Sequence, residues 1–173
     1  VNVTDLLPAK LRDTAGRYLE RGAAELHYAR KMFEAGALKL EAPQTMAGMG
    51  ADILRWGEFG MIPALNARRT PHRTAIIDDE GSWTFRELDE AANAIAHGLL
   101  ELGIRSGDGV ALLARNHRWF LAAFYGAART GARIILLNSE FSGPQITEVC
   151  AREGVRLIIH DHEFAHGVQD TAP

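Results

Sequence analysis

Residues 82–143 read SWTFRELDEAANAIAHGLLELGIRSGDGVALLARNHRWFLAAFYGAARTGARIILLNSEFSG, and this stretch decides the fold. Thr84 can cap a helix, and Glu87 three positions on completes a capping box in which each side chain meets the other's backbone N–H. Leu88, Ala92, Ile95, Leu99 and Leu102 then recur every three or four residues, which predicts one buried stripe. Gly103 can close that helix in the left-handed conformation. Residues 110–113 form a short apolar strand, and Asn116 is placed to cap the next helix. That helix, 119–130, is apolar almost all round and so is expected to be buried on most sides, with Gly131 ending it. Residues 133–137 run apolar without alternation, as in a parallel strand covered on both faces.

Downstream, Ser142, Gly143 and Pro144 open a helix that runs through Arg152 and closes at Gly154, followed by a third strand at 156–160. The rhythm is βαβαβ with short connections, which implies a partial parallel sheet flanked by helices and joined by right-handed crossovers. Upstream, Thr74–Asp78, a turn at 79–81 and a return at 82–84 read as a short β-hairpin. Residues 51–69 are helical in composition but interrupted by Gly57, Gly60 and Pro63, so two short helices are expected. Residues 41–50, rich in small residues and breakers, read as a linker. Leu11, Ala15, Tyr18, Gly22, Leu26, Ala29 and Phe33 share one face of an amphipathic helix over 9–37. The fold class is α/β, with 1–50 an N-terminal helical segment and linker and 51–173 the α/β part.

Composition excludes several function classes. At 47% hydrophobic and 24% charged the chain is too apolar for disorder. A formal net charge of −3 makes nucleic acid an unfavoured partner. A lone cysteine, Cys150, excludes an internal disulfide framework and fits a reducing, cytoplasmic compartment. No apolar run reaches membrane-spanning length, and no signal-peptide pattern opens the chain. The amphipathic N-terminal helix leaves two readings open: docking on a membrane surface or lipid substrate, or packing on its own domain, which the interspersed acidic residues favour.

Motifs for chemistry are sparse. Neither a Walker phosphate loop nor a dinucleotide G-x-G-x-x-G fingerprint occurs, and Gly107 to Gly109 precedes its strand, where it reads as a turn. His162 and His166 stand four apart, a zinc-site spacing, beside His160, Asp161 and Glu163. No second ligand-rich segment accompanies them, so the reading is a solvated loop and no metal site. Cys150 reads as a small buried hydrophobe, and no G-x-S-x-G elbow surrounds Ser82, Ser139 or Ser142. Asn116 and Asn138 each lie just past the carboxyl end of a parallel strand, where open α/β sheets bind ligands. They are the substrate-binding candidates; helix capping for Asn116 and an Asx turn for Asn138 are the competing readings. No residue qualifies as catalytic.

Several pieces together carry a family likeness. They are Thr84-Phe-Arg-Glu-Leu88, the turn from Leu102-Gly-Ile to Gly107-Asp108, the strand 110–113 with Asn116, Gly126 with Ala128-Arg-Thr-Gly131, and the strand ending Leu137-Asn138. Over roughly residues 56–166 the chain resembles the N-terminal portion of AMP-forming acyl-CoA synthetases, the adenylate-forming superfamily, and within it bacterial long-chain fatty-acid–CoA ligases. Residues 136–144 resemble one actinobacterial branch, since Leu136 and Ser139 stand where the family commonly has proline. The resemblance implies a reaction in which fatty acid and Mg-ATP give an acyl-adenylate and pyrophosphate, after which CoA displaces AMP. It thus implies ATP, Mg2+ and CoA as cofactors of the full-length enzyme, and the remainder of the synthetase as partner. The family's Ser/Thr/Gly-rich phosphate loop, Tyr-Gly-x-Thr-Glu motif and catalytic lysine come later than the segment matched here. The chain alone is therefore expected to be inactive, to bind none of these cofactors and to self-associate through apolar faces it leaves open. A catalytically silent interaction or oligomerisation module is the alternative. A small nucleotide-binding protein of doubly wound type is the third reading.

Overall fold

The computed structural model describes His27, Tyr28, Arg30, Lys31, Glu34, residues 42–169 and Thr171. The chain divides into two compact units, Val1–Glu41 and Ala42–Pro173. In the first, the five described residues are helical, with Arg30 paired to Glu34 at 2.8 Å; the rest of the helix expected over 9–37 lies outside the described residues.

The second unit is α/β. It comprises α1 (Pro43–Arg69), β1 (Thr74–Asp78), β2 (Gly81–Thr84), α2 (Phe85–Glu101) and β3 (Gly109–Leu113). These are followed by α3 (Arg118–Arg129), β4 (Arg133–Leu136), α4 (Gly143–Glu153), β5 (Val155–His160), a 3₁₀ turn (His162–Phe164) and α5 (Ala165–Val168). β1 and β2 form the antiparallel hairpin, and β3, β4 and β5 form a parallel sheet in the order β4-β3-β5.

The central strand explains the core. All five residues of β3 are buried, and because side chains alternate across a strand, its two faces feed two clusters. Val110 and Leu112 pack with Leu99, Ile104, Ala123 and Ala127 on the α2–α3 side. Ala111 and Leu113 pack with Ile146, Cys150 and Val155 on the α4 side. The helix ends obey local chemistry. Glu87 N–H donates to the Thr84 hydroxyl at 3.3 Å while Thr84 N–H donates to the Glu87 carboxylate at 2.7 Å, completing the box. At the other end Gly103 takes φ 87°, Gly103 N–H reaches Leu100 O and Ile104 N–H reaches Leu99 O at 3.0 Å, a paired closure that also buries Ile104 against Leu99.

Four expectations need correction. Residues 43–50 are helical, not linker, because Pro43 sits in the first turn, where its missing N–H costs nothing. Two helices do meet in α1, as expected, but the break falls at Gly57 alone (φ 65°, ψ −172°), and Gly60 and Pro63 stay helical and buried. Leu102 is 70% exposed because the helix has already turned away there, and Ala96 completes the buried stripe instead. α3 is buried on most sides, as its apolar sequence implied, with Trp119 alone exposed. β4 is a sheet edge, not a covered strand, and Leu136 is 57% exposed.

Candidate functional site

The carboxyl ends of β3 and β5 meet where Asp161 N–H donates to Leu113 O at 3.1 Å. Asp161 ties them together again. Its carboxylate accepts Arg115 N–H at 2.7 Å and lies 3.0 Å from His117 Nε2. The other ring nitrogen, Nδ1, accepts Phe120 N–H at 3.2 Å, so His117 is the N-cap of α3. That bond needs a lone pair on Nδ1, which places the ring proton on Nε2 and makes it the donor to Asp161. With both nitrogens engaged in holding the loop, His117 is a structural link and not a free base.

The hairpin is fastened to the same helix. Asp78 accepts Arg118 N–H at 3.0 Å and takes a bidentate grip from the Arg118 guanidinium, both side chains being about nine-tenths buried. Those hydrogen bonds from Arg118 hold the Asp78 carboxyl well below the usual carboxylate range and raise the arginine in turn. Arg118 also lies 5.2 Å from the Trp83 ring, which meets Trp119 edge to face at 4.8 Å. On the opposite wall Arg115 pairs with both oxygens of Glu163 at 2.9 and 3.0 Å, lowering the Glu163 carboxyl and raising Arg115.

These fastenings enclose a cleft of about 580 Å³. The hairpin end contributes Ile77 to Glu80, the β3–α3 loop contributes Arg115 to His117 with Trp119, and the end of β5 contributes His160 to His162. The structure separates the two sequence candidates. Asn116 lines the cleft, is exposed, and is not the cap expected of it, since His117 takes that role one residue later. Asn138 lies past β4, on the other side of the central strand, and its side-chain oxygen accepts Glu140 N–H at 3.0 Å in an Asx turn. His160 and His162 reach the cleft and His166 does not; among the described residues no group of three His, Cys, Asp or Glu side chains could hold a metal ion. Cys150 is buried on the inner face of α4, where burial pushes its thiol up and away from thiolate reactivity. Among the described residues no helix is long and apolar enough to cross a membrane.

The pairings missed from sequence are Asp78 with Arg118 and His117 with Asp161. Asp78 and Arg118 are 40 positions apart, and His117 and Asp161 are 44 apart, so no local pattern could pair them.

The motif Gly126 to Gly131 proves to be architectural. A Cβ on Gly126 would stand 2.7 Å from Ile95 Cγ2 and 3.0 Å from Ala92 O, so glycine permits the close approach of α3 to α2. The Arg129 side chain is fully buried and serves acceptors on two other helices: Gly60 O and Asp89 O at 3.0 Å, Asn93 Oδ1 at 2.8 Å, and the Asp89 carboxylate. The Thr130 hydroxyl donates back to Ala127 O at 2.8 Å, and Gly131 turns the chain at φ 73°. These residues lock α1, α2 and α3 into one layer.

The sequence model of the AMP-binding enzyme family matches residues 64–173, well over half of the chain, and the chain belongs to that family. It is similar to a feruloyl-CoA synthase from Amycolatopsis sp, 33% identical over 110 residues, covering 64% of this chain and 22% of the relative. Among solved structures it resembles a Mycobacterium tuberculosis fatty acyl CoA synthetase with a TM-score of 0.63 at 28% identity, covering 68% of this chain and 23% of that one. The N-terminal domain of FACL13 from Mycobacterium tuberculosis gives a TM-score of 0.61 at 28% identity, covering 64% of this chain and 28% of that one. The chain thus spans about a quarter of the length of these proteins.

Proposed function

We propose that this chain is the N-terminal part of a fatty-acid–CoA ligase and supplies scaffold, not catalysis. The reading rests on one observation above others: the family match begins in α1 and runs through β5, and the residues that carry it hold helices and strand ends together. In the parent enzyme a fatty-acid carboxylate attacks the α-phosphorus of ATP, with Mg2+ bound, to give acyl-adenylate and pyrophosphate. The CoA thiol then displaces AMP to give the thioester. This sequence holds no phosphate loop, and His117 is engaged at both nitrogens, so the chain alone is proposed to turn over nothing. The remainder of the synthetase is its partner, in a cytoplasmic setting.

A second reading is an aromatic acid as substrate, which the 33% identity to a feruloyl-CoA synthase favours. Both are tested together. The reading frame continued past the Pro173 codon is expressed beside the 173-residue chain, and each is supplied with ATP, Mg2+, CoA and one acid: medium-chain, long-chain or hydroxycinnamic. Fatty-acid-dependent pyrophosphate release by the longer protein only is the expected result. Release with the hydroxycinnamic acid alone would replace the fatty-acid reading, and thioester formation by the 173-residue chain would overturn the scaffold role.

A further inference from the structure

We propose that the cleft at the ends of β3 and β5 is a binding site for a small organic cation, a primary ammonium carried on a flat apolar body. This inference stands apart from the ligase reading, whose substrates are anions.

The volume, about 580 Å³, lies within the range of small-molecule pockets, and the position is the carboxyl edge of a parallel sheet, where such pockets form. Charge then decides the ligand class. Arg115 is neutralised by its two bonds to Glu163, and Asp78 by its grip on Arg118. What remains uncompensated in the cleft is carboxylate. Asp161 accepts the Arg115 N–H and the His117 ring, and no arginine or lysine side chain among the described residues bonds its carboxylate. Asp79 has no side-chain partner among the described residues, and Glu80 reaches Arg118 only at 4.0 Å with its side chain 72% exposed. A nucleotide, a CoA phosphate or a fatty carboxylate would meet this negative field unfavourably, whereas a cation is drawn in. The apolar body has its own surface. Trp119 is 51% exposed and Ile77 80% exposed on the cleft lining, an aromatic face and an aliphatic edge beside the carboxylates. An ammonium over an indole gains cation–π attraction, and the exposed Asn116 on the cleft lining adds a polar contact.

The test uses the 173-residue chain and phenethylammonium, followed by tryptophan fluorescence. Expected is a saturable change with phenethylammonium and none with phenylacetate. The change should be lost in Trp119→Phe, and affinity should fall at least about fivefold in the Asp79→Asn, Glu80→Gln double variant, given two exposed charge contacts. Raising salt should weaken binding in parallel. All three side chains are exposed, so far-UV circular dichroism of the variants should match the parent. No saturable change, an equal response to the neutral 2-phenylethanol, or unchanged affinity in the double variant would each overturn the proposal.

Discussion

Arg129 offers the sharpest test of how this domain is held together. Its guanidinium has no exposure and bridges Gly60 O, Asp89 O, Asn93 Oδ1 and the Asp89 carboxylate, so α1, α2 and α3 share a single cation. Arg129→Met keeps most of the stem and removes the charge. The Asp89 carboxylate, 22% exposed, would then lose its partner, and Gly60 O and Asn93 would each lose a donor. Removing one partner of a buried pair costs about 3–5 kcal/mol, and because Asp89 retains some solvent the lower end applies, about 3 kcal/mol. Against a typical domain stability of about 5–15 kcal/mol that is a large fraction, and it corresponds to a Tm lowered by roughly 10 °C. Urea unfolding followed by circular dichroism measures it. A double-mutant cycle with Asp89→Asn isolates the pair, and the two single losses should fail to add. If Arg129→Met unfolds within about 0.5 kcal/mol of the parent, as surface substitutions do, the reasoning is wrong and the guanidinium is solvated.

Three further outcomes follow from the same structure. Gly126→Val drives a branched side chain into Ile95 and Ala92 O and should cost about 1–3 kcal/mol in urea unfolding, with Gly126→Ala milder. Thr84→Ala removes the acceptor for Glu87 N–H and should cost about 1 kcal/mol of thermal stability. Asp78 has a lowered carboxyl in the folded state, so its stabilisation is complete above the ordinary carboxylate range and is lost as pH falls toward the folded value. Urea midpoints of the parent should therefore drop on acidification while those of Asp78→Asn, lower at neutral pH, change less, so the two curves converge; parallel curves would refute the pairing.

The parts legible in the sequence are those set within one turn or one strand. The Thr84–Glu87 box, the closures at Gly103 and Gly154 and the run of β3 all depend on neighbours a few residues away, and all stand as the pattern implied. The errors arose where distant contacts decide. Leu136 reads as core until the order β4-β3-β5 makes its strand an edge. Asn116 resembles a cap, yet His117 takes the position because Asp161, 44 residues on, holds its ring. Pro43 was a legible first-turn signal, masked by the small residues that follow it. In the candidate site Asn116 could be placed from its strand end, whereas the Asp78–Arg118 fastening that shapes the cleft left no local trace.

The central claim, that this chain is the scaffold portion of an acyl-CoA ligase, is tested most directly by the DNA immediately after the Pro173 codon in the source genome. An open frame that carries a Ser/Thr/Gly-rich loop and, further on, a lysine-bearing small domain is the result predicted. A stop codon directly after Pro173 would contradict it and leave a catalytically silent module.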